Sequence, residues 1–275
     1  MDLFIGIAVN VTFPIVAIAA LGYVMQARIK LDVASINRLL VFVIMPCFLL
    51  HFLASAKQPV SEIWPVAYFT LVQFLVLIPI GWLASNLMGL PRSFGPLMAM
   101  ATVYANVGNY GITLVHLAFP PEFILHQSVV TALMTIHMVT VGAWLLSPSN
   151  TGQGLLSRFG LAFETPIIPA VINGLTLRAL EIRLPHAVAT PVELLGAAFP
   201  PLALFAMGAQ LATRTAGVVM PGRLSLVLVL KLIIAPAVTW GLAILMQIPE
   251  DLNDLLVVAA ATPIGILLAL FCTCL

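Results

Sequence analysis

Most of the chemistry that this very apolar chain of 275 residues can offer sits in one stretch, Val103-Tyr104-Ala105-Asn106-Val107-Gly108-Asn109-Tyr110-Gly111. It sets two carboxamides and two glycines in the middle of a run, Phe94 to Phe119, that otherwise reads as membrane-spanning. Hydrocarbon about 30 Å thick offers a freed backbone amide no partner, so a helix opens there only where protein or water receives it. Glycine loosens a helix, and asparagine brings both donors and acceptors. Near the far end, Ala261-Thr262-Pro263-Ile264-Gly265 again combines a helix breaker, a glycine and a hydroxyl. Broken helices at membrane depth are the usual mark of a transporter's substrate or ion site. The plainer alternative is a glycine-packed kink whose asparagines bond a neighbouring helix. Because helix N-termini are partly positive, the ligand favoured at such breaks is an anion. The expected ligand contacts are Asn106, Gly108, Asn109, Thr262, Pro263 and Gly265.

Lys231 joins them as a cation about seven residues inside a predicted span. Its stem could carry the ammonium back to the surface, or the charge could counter an anionic substrate. No aspartate or glutamate falls at the middle of any predicted span, which argues against carboxylate proton relays and sodium cages. His51 and His137 are the titratable groups left inside spans, each read first as bonding a neighbouring helix. His116 and His126 flank an external loop and are expected to be solvated. Cys47, Cys272 and Cys274 lie in apolar runs and read as small hydrophobes rather than a disulfide or metal set. No metalloprotease, nucleophile-elbow or phosphate-loop motif occurs, so an enzyme is not expected and no cofactor is implied.

The elements that position these residues are membrane helices. The chain is 62% hydrophobic and 8% charged, against about 25% charged in a soluble domain. A net charge of +1 gives no case for nucleic acid. Apolar runs predict spans at about 4–25, 36–55, 63–88, 94–118, 123–146, 164–181, 191–213, 224–246 and 253–275. The N-terminus has no charged n-region or small-residue cleavage site, so the first run is retained as a span. With the N-terminus outside, seven basic residues (Arg28, Lys30, Arg38, Arg92, Arg158, Arg214 and Arg223) face the cytoplasm. Three, Lys57, Arg178 and Arg183, face outward, and this bias favours that orientation.

The two halves resemble each other. Pro14 and Gly22 are eight residues apart, as are Pro166 and Gly174. Pro46 interrupts the second span as Pro200-Pro201 interrupts the seventh, and the breaks at Asn106 and Pro263 correspond. Pro14, Pro46, Pro166 and Pro201 are expected to kink helices that support the crossing. Five spans per repeat is odd, so the second repeat must sit upside down, an arrangement found in secondary transporters. The expected parts are a first five-helix repeat at 1–148, a cytoplasmic connecting loop at 149–163 and a second repeat at 164–275.

The pieces that carry a family resemblance run along nearly the whole chain. They are Pro14…Leu21-Gly22-Tyr23, Asn37-Arg38-Leu39 with Val43-Ile44-Met45-Pro46, Asn106 to Ile112, Pro169 to Gly174, Pro201 to Gly208, Lys231 to Pro236 and Ala260 to Pro263. In combination they resemble the auxin efflux carrier family, which includes plant PIN-type carriers and bacterial carboxylate permeases. The resemblance implies an all-α polytopic fold of ten helices in two inverted five-helix repeats, with spans 4 and 9 broken and crossing near the midplane. It also implies carriage of small organic anions, auxin-like or malate- and malonate-like, with the crossover asparagine and proline at Asn106 and Pro263. The expected partners are such an anion, membrane lipid and a second copy of the chain, in the inner or plasma membrane. Twelve residues follow Pro263, so a tenth helix is missing from the pattern. The alternative expectation is therefore a truncated, non-transporting remnant of such a carrier with little activity.

Overall fold

The computed structural model describes residues 8–56, 59–146, 166–213 and 221–263, together with Gly6. Gly265, Arg158, the whole predicted connecting loop 149–163 and the latter part of span 9 lie outside the described residues. The described residues are helical, without strands. In chain order the helices are α1 (Phe13–Ile29), α2 (Val33–Leu39), α3 (Met45–Ser55), α4 (Ile63–Leu87) and α5 (Phe94–Val103). They continue with α6 (Thr113–Ala118), α7 (Phe123–His137), α8 (Ala143–Leu146), α9 (Ile167–Ala179) and α10 (His186–Ala197). The last are α11 (Phe199–Thr213), α12 (Pro221–Val229), α13 (Ala235–Leu245) and α14 (Glu250–Ala261).

Six helical runs are long and apolar enough to cross a membrane: Val9–Ile29, Val33–Ser55, Ile63–Leu87, Phe123–Gly142, His186–Thr213 and Ser225–Leu245. They coincide with the first, second, third, fifth, seventh and eighth predicted spans. The sixth predicted span is the shorter apolar helix α9. The fourth is divided into α5 and α6, and the ninth contributes α14.

Local chemistry explains where these helices start, bend and stop. Asp32 caps α2 through the Ser35 N–H, satisfying one of the donors a helix start leaves free. Lys30, Glu181 and Gln247 take left-handed backbone conformations at φ 51°, 54° and 56°, as residues just past a helix end commonly do. Three π-helical turns each end two residues before a proline: Ala8–Thr12 before Pro14, Leu40–Ile44 before Pro46 and Leu230–Ile234 before Pro236. Proline has no N–H, and its ring meets the carbonyl four residues back. One wider turn ahead of it takes up the missing bond without ending the span. Pro166 instead stands at the start of α9, and Pro200 and Pro201 open α11 just past the interruption at Ala198.

The described parts of the chain fall into two compact units. One draws on Met1–Val60, Gly108–Ser128 and Thr165–Gly217, the other on Ser61–Val107, Val129–Glu164 and Val218–Leu275. Each unit takes helices from both sequence halves. In the first unit α1 packs along α11, and α3 packs against α9 and α10. Small residues set these approaches. A Cβ on Gly22 would lie 2.0 Å from the Phe205 carbonyl oxygen, and one on Gly208 would lie 1.8 Å from that of Ala19. Gly174 and Gly196 admit Leu53 and the Phe48 backbone in the same way. Asn37 and Gln210 join α2 to α11 by a 2.7 Å hydrogen bond. With hydrocarbon on the outside, such close van der Waals contact and hydrogen bonding hold helices together.

In the second unit α4 packs on α5, and α13 on α14. Gly81 lets α5 approach so closely that a Cβ would lie 2.7 Å from the Met98 carbonyl oxygen. The Gln73 amide donates to the Thr239 hydroxyl across α4 and α13 at 2.6 Å, with both residues buried.

Candidate ligand site at the helix breaks

Helix α5 stops at Val103 because the chain turns extended at Tyr104 (φ −80°, ψ 123°). Residues 104–106 are not helical, and helical structure resumes as a π turn over Val107–Ile112. Gly108 and Gly111 lie in that turn. Helix α14 stops at Ala261 in the same manner, with Thr262 extended (φ −62°, ψ 148°) and Pro263 non-helical.

The two breaks meet in the second unit. The Asn106 backbone N–H donates to the Pro263 carbonyl at 2.7 Å. A donor freed by one break is thus matched to an acceptor freed by the other, which spares the several kcal/mol that an open group costs in hydrocarbon. Other freed groups are also taken up. The Tyr104 N–H donates to Met100 O at 2.8 Å, and the Thr131 hydroxyl donates to Val107 O at 3.2 Å. The Thr262 hydroxyl donates to Ala259 O at 2.8 Å. The Asn106 backbone N–H and the Thr262 hydroxyl proton are engaged within the protein rather than offered to a ligand.

The Asn106 side chain is what remains. The residue is 9% exposed, and its carboxamide has no hydrogen-bond partner among the described residues. A primary amide left so supplies two N–H donors and a carbonyl. Lys231 approaches the same break from the π turn Leu230–Ile234. It is 2% exposed, and its ammonium faces Thr102 O at 3.4 Å, a long contact. The stem therefore runs inward to the end of α5, against the reading in which it reaches the surface.

Not all expected contacts are brought together. Asn106, Lys231, Thr262 and Pro263 share the second unit, while Gly108 and Asn109 belong to the first. Asn109 is half-buried, and its backbone carbonyl accepts from the Thr113 hydroxyl at 2.8 Å.

The structure adds residues that sequence reasoning did not single out. Tyr104, fully buried in the break, bonds through its hydroxyl to His137 Nδ1. The His137 ring stacks on Phe74 with centroids 4.2 Å apart. His137 thus bonds a neighbouring helix, as expected of a histidine inside a span; its tyrosine partner was visible in the motif but had no assigned role. His126 is a correction. It is buried and in ring contact with Phe123 rather than solvated. His116 is exposed, with its ring edge against Phe48 and Phe52. Among the described residues no cluster of His, Cys, Asp and Glu is placed to hold a metal ion.

A cavity of about 570 Å³ lies in the first unit, lined by His51, Arg178, Glu181 and Arg183 with apolar Leu177 and Val192. It brings both signs of charge to the ends of α3 and α9 and shares no residue with the breaks.

Residues 7–274 match the family described as Membrane transport protein, nearly the whole chain. No curated protein matches the chain.

Proposed function

We propose, from the premise that this chain belongs to the membrane transport protein family, that it carries small organic anions by alternating access about two crossed, broken helices. Membership bears out the resemblance to the auxin efflux carriers and makes the protein a membrane transport protein, not a member of an enzyme family. The observation that carries the finer reading is the hydrogen bond from Asn106 N–H to Pro263 O, which ties the ends of two interrupted helices beside a carboxamide without a hydrogen-bond partner among the described residues. A carboxylate suits that place. It accepts from the Asn106 amide and is attracted by the Lys231 ammonium.

Symmetric packing supports the inverted repeats, 1–148 and 164–275 about the loop 149–163. Span 1 packs on span 7 as span 6 packs on span 2, and the matched glycines Gly22 and Gly174 make the close approaches. Spans 3 and 4 pack together as spans 8 and 9 do. Corresponding members of the two repeats also sort into the same unit, spans 1, 2, 6 and 7 in one and 3, 8 and 9 in the other. Span 4 departs from that rule by changing unit just after its break. A carrier built of two bodies, one of which holds the junction of the breaks, fits this sorting. We place it in the inner or plasma membrane with the N-terminus outside, from the bias of its basic residues. The family match does not favour the non-transporting remnant.

The test is counterflow. Purified protein in liposomes preloaded with unlabelled malonate, malate or indole-3-acetate should accumulate the matching labelled anion saturably. Failure with every carboxylate tried, by protein that is folded and inserted, would remove the substrate class.

A further inference from the structure

Resting on the carrier reading above, we propose that Lys231 is a tethered countercation, standing where a co-transported sodium ion would otherwise bind. A helix that ends inside the membrane leaves its last carbonyls without partners, and that end is partly negative. In carriers with broken helices such C-terminal ends coordinate the coupling cation. Here α5 ends in this way, and three carbonyls near its end have partners. Met98 O takes the Thr102 hydroxyl at 2.7 Å, Met100 O takes the Tyr104 N–H, and Thr102 O faces the Lys231 ammonium. The cation at the end of the half-helix belongs to the protein.

Among the described residues, its surroundings lack an anion to match it. The π turn that bears Lys231 packs against α5, α12, α13 and α14. Helices α5 and α13 contain no charged residue, and α12 brings only Arg223. Helix α14 brings Glu250, Asp251 and Asp254, all exposed near its start. Lys231 has no carboxylate partner among the described residues, and a buried ammonium paired only with a carbonyl dipole is poorly compensated. An ammonium has three N–H donors and the Thr102 carbonyl takes one, so a substrate carboxylate supplies the missing countercharge. With a fixed cation at the carbonyl and no carboxylate cage among the described residues, the site neither needs nor admits sodium.

Two measurements on the purified chain test this. The first compares melting midpoints in sodium chloride, methylammonium chloride and choline chloride. The wild-type midpoint should be the same in all three. Lys231→Ala, or Lys231→Met if the alanine variant does not fold, vacates the carbonyl. Its midpoint should rise by about 2–4 °C in sodium or methylammonium over choline, as binding to the folded state requires. A wild-type midpoint raised by sodium, or variants indifferent to both small cations, would overturn the proposal. The second is counterflow of labelled malonate, which in the wild type should run equally in sodium and choline; stimulation by sodium counts against the tethered cation. Wild-type protein that moves none of the anions tried refutes the substrate reading, and the melting comparison then still decides the role of Lys231.

Discussion

Two side chains illustrate how differently polar groups behave at the two depths of this molecule. Asp32 lies in the exposed link between α1 and α2, where the Ser35 hydroxyl and then the Ser35 N–H hold its carboxyl below the usual carboxylate value. Its folded pKa is lower than its unfolded one, so its contribution to α2 is fully present above the unfolded value, about 3.9. That contribution is lost as pH falls through the folded value. The stability gap between wild type and Asp32→Ala, followed by melting from pH 7 to pH 3, should therefore narrow at the acid end; a gap independent of pH would show that the charge has no part in the cap. Asn106 is the opposite case. Its backbone N–H is satisfied by Pro263, yet its side chain has no hydrogen-bond partner among the described residues. A ligand that bonds that amide gains a hydrogen bond that the described part of the protein does not supply.

At the scale of the helices, the sequence disclosed positions better than partnerships. Apolar runs placed the spans, because a bilayer imposes length and hydropathy on every crossing segment. Asn106 and Pro263 were legible as breaks, since glycine, proline and asparagine are out of place in hydrocarbon. The π turns before Pro14 and Pro46 were legible only as kinks, because a proline does not say how the preceding turn adapts, and the one before Pro236 was not singled out. What the sequence could not disclose was which freed groups find each other. Thr262 spends its hydroxyl proton on its own helix, and Lys231 turns inward to α5. Both outcomes depend on tertiary packing that no local pattern encodes. The glycines give a sharp test of that packing. Gly208→Val places side-chain atoms inside the van der Waals radius of the Ala19 carbonyl, and overpacking of this kind costs about 1–3 kcal/mol or more. Gly241 in α13 has open space where its Cβ would be, so Gly241→Ala should gain up to about 1 kcal/mol of helix stability. Melting of the two variants in detergent should move in opposite directions. Equal effects would mean that helix propensity, not the α1–α11 contact, sets stability.

For the whole molecule, the prediction concerns its sense in the membrane. Cysteines placed singly at Ser61 and Ser157, in a background without Cys47, Cys272 and Cys274, report on an external and a cytoplasmic position. An impermeant thiol reagent applied to intact cells should label position 61 and spare position 157, and the reverse pattern would invert the orientation. The central claim, that an anion is carried at the junction of the two breaks, is tested most directly by comparing Asn106→Ala with wild type in malonate, malate and indole-3-acetate counterflow at matched insertion. Losing an amide that bonds the carried anion costs about 1–3 kcal/mol, so apparent affinity or rate should fall by roughly one to two decades. Counterflow by Asn106→Ala at the wild-type rate and affinity, for every anion that the wild type moves, would contradict the account and leave Asn106 a packing residue.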